Sequence, residues 1–304
     1  MHYAVENSTS HPDVRRCIEQ VYQLPSMPGM ARSILELRLR PTASAADLAA
    51  IVELDPSLAA QVMRYANSPF FGYRGNIRSL RDAISRVLGF ETVMGIALGL
   101  ATAKALRNPL DGPLGLRAFW RHAIYSAALA QGIVQAMPSR ARPSLGMAYL
   151  AGLLHNFGFL LLGHLFPPEF SLLNKLVMAH PEIPVTTLEK HLLGMGHAQR
   201  VLSLGHARIG AWLMESWGMP EEIVITLREH HNPQYDADHA VYPNLVLLVD
   251  HLLKACNLGD APDAELPPEL LARLGLEEAQ VVRVREKLLT RCKGLEHLVH
   301  QLAA

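Results

Sequence analysis

The chain has 304 residues, half of them apolar, and carries 28 Lys plus Arg against 28 Asp plus Glu, with a sequence pI near 7.3. A balanced charge excludes a global basic footprint for nucleic acid and a solvating acidic tail, so only local patches remain to be weighed. The length suffices for a large core shared by more than one subdomain.

Cys17, Cys256 and Cys292 are far apart and form no CxxC pair, which reads as reduced thiols and a cytoplasmic protein. The opening residues Met1-His2-Tyr3-Ala4-Val5-Glu6 lack the basic and then apolar regions of a signal peptide. Gly and His interrupt the longest apolar runs before about 18 residues, so no membrane span is expected.

After a polar start, a helix is expected through Val14, Ile18 and Val21, breaking at Leu24-Pro25-Ser26-Met27-Pro28-Gly29. Ile34, Leu35 and Leu37 mark a second helix that stops at Pro41. Thr42 or Ser44 can cap a third, with Asp47 in its first turn, and Asp55-Pro56 supplies an N-cap and first position for a fourth. Leu58, Val62, Met63 and Ala66 give that helix an apolar face. Asn67-Ser68-Pro69-Phe70-Phe71-Gly72-Tyr73 is a turn. Ser79 then caps Leu80 to Leu88, Gly89 ends it, and Glu91 opens a Gly- and Ala-rich helix to Leu106.

Asn108-Pro109-Leu110-Asp111-Gly112-Pro113 reads as a subdomain boundary. Helices are expected beyond it over Leu116–Ala136, Ser144–Leu165, Pro168–Ala179, Thr186–Leu193, Gly205–Trp217, Pro220–His231 and Asn244–Cys256. From Pro267 onward, Leu270, Leu274, Val281, Val284, Leu288 and Leu289 suit two or three amphipathic helices. Their apolar stripe fits either the chain's own body or a homodimer face. No alternating strand pattern occurs, and the fold class is all-α.

The chemistry lies in the second half. Gly152-Leu153-Leu154-His155-Asn156-Phe157-Gly158 sets a His-Asn doublet inside an apolar helix, where a buried imidazole and amide must be hydrogen-bonded or ligated. His122, His206, the pair His230 and His231, and Asp250 stand on the neighbouring apolar helices. A lone histidine on an apolar face is more often a satisfied core residue. An ordered set on successive helices instead matches the way helical bundles build metal sites. Imidazole with carboxylate suits a divalent ion such as Fe, Mn, Zn or Mg, and a purely polar core is the other reading.

These residues carry a resemblance. Leu24-Pro25-x-x-Pro28, Leu54-Asp55-Pro56-Ser57-Leu58, Ala66-Asn67-Ser68-Pro69 and Ile84 to Leu88-Gly89 are joined by Phe119-Trp120-x-His122, Ala151 to His155, Gly205-His206-Ala207-x-x-Gly210, Trp217-x-x-Pro220 and His230-His231. Over about two thirds of its length the chain resembles the HDOD family, relatives of the HD-domain phosphohydrolases. The resemblance implies an N-terminal helical bundle (1–112), an HD-like helical subdomain (113–260) and closing C-terminal helices (261–304). By position, His122, His155, Asn156 and Asp250 fill the metal slots of catalytic HD enzymes. His206 and His230 or His231 correspond to the extra ligands of two-metal members. HDOD proteins are regarded as regulatory modules of bacterial signalling, which implies a protein partner and leaves room for a small nucleotide ligand.

The departures point away from catalysis. Asn156 replaces the doublet's Asp, and a neutral amide cannot supply an anionic bridge between two cations. Phe159 stands where many HD enzymes have Lys, and His231 is followed by Asn232-Pro233 rather than the Gly-Tyr-Pro signature of cyclic-di-GMP hydrolases. The expected function is therefore regulatory. The rival is a metal-dependent phosphohydrolase acting on a nucleotide or cyclic dinucleotide through His155, His206, His230 and Asp250. Gly196-His197 repeats Gly205-His206 in miniature: in the family's pattern the spacing from an upstream Glu fits Glu189 to His197, while Gly210 and Trp217 match His206, which is preferred as the pocket residue. Arg74, Arg78, Arg81 and Arg86 beside the aromatic turn read more readily as a solvated helix face than as a nucleic-acid contact.

Overall fold

Capping chemistry fixes the helix starts of the first third. The computed structural model describes residues 24–73, 75, 77–190, 203–259, 268–290, 294–296 and 299. The helix expected at Val14 to Val21, and Arg74, His197, Cys17 and Cys292, lie outside the described residues. Helix α1 is Gly29–Arg38. In α2 (Ala45–Glu53) Ser44 and Asp47 form a reciprocal capping box. In α3 (Pro56–Ala66) the Asp55 carboxylate accepts from the Leu58 N–H, with Pro56 at the first position. Ser68 and Pro69 then start a short 3-10 turn, Pro69–Phe71.

Ser79 caps the next segment as expected, but only Leu80–Asp82 (α4) is α-helical. Ala83–Leu88 continues as a π-helix, closed by Gly89 at φ +82°. The wider turn still buries Ala83, Ile84 and Leu88, which is why an apolar pattern alone does not reveal it. Helix α5 (Phe90–Ala103) is buried along most of its length.

The second half contains α6 (Leu116–Ala136), α7 (Leu145–Leu154), α8 (Phe157–Leu165), α9 (Pro167–Ala179) and α10 (Val185–Lys190). It continues with α11 (Gly205–Ser216), α12 (Glu221–Glu229) and α13 (Val241–Lys254), then α14 (Pro268–Leu274) and α15 (Glu278–Thr290). No strand occurs among the described residues. Helix α7 is wedged between α5 and α6, α8 lies on α11, and α13 and α15 both pack on α6. One apolar core runs from Met27 to Val299, so the C-terminal leucines are spent on the chain's own body.

The expected single helix Ser144–Leu165 is in fact two. The chain leaves α7 at His155 and enters α8 at Phe157, with Asn156 between them at φ −95°, ψ 14°. A continuous apolar run hides such a break, because both halves are core helices. Taken through the break, Leu145–Leu165 is long and apolar enough to cross a membrane by length and composition alone. In this fold 89% of that window is buried as the central core.

Candidate metal centre

His155 caps the end of α7 with helical backbone angles, and its ring bends back so that Nδ1–H donates to the Gly152 carbonyl at 2.8 Å. His230, at the end of α12, repeats the arrangement with the Leu227 carbonyl, also at 2.8 Å. His206, in the first turn of α11, donates Nδ1–H to the Glu189 carboxylate of α10, 3.0 Å from both oxygens. The His206 backbone N–H donates to the same group at 3.0 Å. With Nδ1 carrying a proton in all three rings, each Nε2 is the atom left to face inward.

Those nitrogens meet. His206 Nε2 lies 3.4 Å from His230 Nε2 and 3.1 Å from His231 Nε2. His122 Nε2, from α6, lies 3.2 Å from His155 Nε2 and 3.1 Å from Asp250 Oδ1. The rings of His155 and His230 sit 5.1 Å apart and join the two groups. The structure thus holds two adjoining trios, His206–His230–His231 and His122–His155–Asp250, with the donor atoms of each within 4.8 Å of one another.

Burial fixes the charge state. It pushes His155 and His231 well below the ordinary imidazole range, helped by the neighbouring histidines, and His230 down to about 3 with His206 as the second cause. Neutral rings are the form that ligates metal. Burial alone would raise the Asp250 carboxyl; the His122 hydrogen bond, the His122 charge and Lys254 outweigh it and hold the group well below the usual range.

The first trio fits a divalent ion. Nitrogens about 2.0–2.1 Å from one tetrahedral ion stand about 3.3 Å from each other, close to the separations seen around His206. The three facing Nε2 atoms offer the nitrogens such an ion would need, and the Glu189 carboxylate behind His206 would strengthen its nitrogen as a ligand.

Six of the seven residues singled out in the sequence therefore converge in the two trios. Asn156 stands beside them, its Oδ1 buried without a hydrogen-bond partner, in the wall of a cavity of about 270 Å³. Leu114, Phe119, Phe159, Val177 and Val185 form the apolar side of that cavity, and His122, His206, His231 and Asp250 form its polar floor. Phe159 lies flat on the His206 ring, centroids 4.0 Å apart and planes 17° from parallel. Arg121 reaches the cavity but is paired with Glu296 of the C-terminal segment at 2.7 Å.

Sequence reasoning missed Glu189 and Lys254 as parts of the site. The spacing of Glu189 in the sequence suits His197, whereas the structure joins it to His206. Lys254 stands four residues after Asp250, a spacing that ordinarily marks a solvated helix face. Of the arginines near the aromatic turn, Arg78, Arg81 and Arg86 are exposed, and Arg86 pairs with Asp82 at 3.2 Å.

A family model, the HDOD domain, matches residues 24–233. The chain belongs to the HDOD family. A solved structure from Marinobacter aquaeolei VT8, described as a candidate signal-transduction protein, is 38% identical with a TM-score of 0.80 and covers 94% of this chain and 61% of its own. An HDOD domain protein of unknown function from Geobacter sulfurreducens is 23% identical at a TM-score of 0.72, covering 95% and 96%. An uncharacterized protein of Treponema pallidum is 23% identical over 272 residues, 89% of this chain and 50% of its own length. The HDOD chain described here thus spans about half the length of that curated relative. Its all-α architecture is that of the family, and its histidine and aspartate groups make it an HD-like protein with residues able to hold a metal.

Proposed function

We propose that this HDOD protein is a regulatory module of a signalling pathway that works by binding a protein partner, and that its histidine pocket takes a divalent ion or small ligand that bears on that binding. The observation that carries this reading is Asn156. It holds the place where hydrolysis by two metals requires a bridging carboxylate, and its amide oxygen is buried and unpartnered. Phe159 adds to it: an apolar ring covers His206 on the cavity side, where a phosphate would need a donor. A metal bound here would polarise what it touches as a Lewis acid. The chain's own residues orient the imidazoles, keep them neutral and line the cavity with apolar surface.

The alternative, a metal-dependent phosphohydrolase acting on a nucleotide or cyclic dinucleotide, is favoured by one feature, the 270 Å³ cavity that opens directly over the trios. Assays of purified protein on mononucleotides, cyclic dinucleotides and bis-p-nitrophenyl phosphate with added Mn²⁺, Fe²⁺, Zn²⁺ or Mg²⁺ separate the two. The regulatory reading expects no turnover above buffer. Metal-dependent turnover that disappears in His155→Ala would overturn it.

A further inference from the structure

The two trios look alike as ligand sets, yet their charges are balanced differently. In the His122–His155–Asp250 group the atoms that face one another already have partners, while His122 Nδ1 is buried without one. His122 Nε2–H sits 3.1 Å from Asp250 Oδ1 and 3.2 Å from the bare Nε2 of His155, so one proton serves both contacts. The other oxygen of Asp250 is 3.3 Å from the Lys254 ammonium, one helical turn along α13. Both side chains are almost fully buried, at 8% and 7% exposure. A buried Lys is tolerated only when paired, and here its positive charge lies where a metal bound to Asp250 would need the carboxylate for itself.

The His206–His230–His231 group has the opposite balance. The Nδ1 atoms of His206 and His230 are bonded outward, so their Nε2 atoms face each other at 3.4 Å, with His231 Nε2 3.1 Å from that of His206. Behind His206 stands Glu189, 3% exposed, whose only ion-pair partner among the described residues is His206 itself. Among the described residues Glu189 thus has no buried ammonium paired with it, where Asp250 has that of Lys254.

We propose that the Lys254 ammonium serves as the second cation of the pocket, so that it takes a single divalent ion, held by His206, His230 and His231. The proposal rests on the metal-holding part of the reading above and gives it a stoichiometry and a place. Asp250 and His122 then act as a closed, ion-paired group beside the metal rather than as its ligands.

The test counts metal. Purified full-length protein is stripped with chelator, reloaded with excess Zn²⁺, desalted, and analysed for zinc per chain. The expected result is about one zinc in the wild type and in His122→Ala, and close to none in His206→Ala, as for a site whose ligands are all on one side. Lys254→Met is expected to raise the count toward two. About two zincs in the wild type, zinc kept by His206→Ala but lost by His122→Ala, or an unchanged count in Lys254→Met would each overturn the proposal. If Lys254→Met does not fold by circular dichroism, Lys254→Gln replaces it, and the wild-type and histidine counts stand by themselves. No zinc at all in the wild type defeats the single-ion site while leaving partner binding intact. Phosphoester turnover defeats the regulatory reading and leaves the zinc count untouched.

Discussion

Gly158 lies directly beneath the backbone of His206: a Cβ built there would stand 1.9 Å from the His206 carbonyl oxygen and 3.0 Å from its Cα. Helices α8 and α11 touch backbone to backbone at this point, and the contact brings His206 within reach of the residues carried by the α7–α8 break. Gly158→Ala is expected to force the two helices apart, costing about 1–3 kcal/mol as other overpacked sites do. Urea unfolding checks it, and the same variant should bind zinc more weakly because His206 moves with α11.

Glu189→Gln keeps an acceptor for His206 Nδ1–H but removes the charge. Loss of such an outer partner typically weakens metal binding about 10–100-fold. Zinc affinity measured by competition with a chromogenic chelator should fall in that range while the circular dichroism spectrum is unchanged. An unaltered affinity would remove Glu189 from the site.

Acid should unfold the metal-free protein early. His155, His230 and His231 are held below the unfolded imidazole value of about 6.5, with His230 at about 3. Between the two values the unfolded chain binds more protons than the native one, so stability falls as pH falls through that window. From pH 6.5 to 5.5 a single such histidine costs about 1 kcal/mol. The depressed Asp250 adds a further loss only below the ordinary Asp range. Urea midpoints of chelator-treated protein should drop from pH 7 to 5, and His231→Gln should flatten that slope.

Tyr65 of α3 and Tyr149 of α7 meet hydroxyl to hydroxyl in the core, ring planes at 88°. Burial raises both phenols, Tyr65 to well above its usual value. Tyr149→Phe strands one buried hydroxyl and is expected to cost about 1–3 kcal/mol. The double variant Tyr65→Phe, Tyr149→Phe should cost less than the sum of the singles, because neither hydroxyl is then left alone. A double-mutant cycle in urea reads the coupling directly.

Much of this molecule is legible from the residues alone. Ser44, Asp55, Ser79 and Ser144 announce their helices by chemistry local to a single turn, and each does cap one. The convergence of His122, His155, His206, His230, His231 and Asp250 is legible as order along successive apolar helices. The break at Asn156 is not, because the residues on both sides are equally apolar and helix-forming. The π-helix at Ala83–Leu88 is hidden for a similar reason, since it buries the same face with a different pitch. Lys254 escapes because a Lys one turn after an Asp ordinarily marks a solvated face, and only the packing of α13 on α6 reveals that this one is enclosed.

His155 ends α7 and His230 ends α12, so two helix C-termini are aimed at one spot. Each terminus carries about half a negative charge from its aligned peptide dipoles. The N-termini of α8 and α11, at Phe157 and Gly205, bring the opposite partial charge to the same spot, so four helix ends set a local field there before any side chain ionises. A divalent ion held as proposed would lie within that field, its surroundings set by the backbone as well as by the imidazoles.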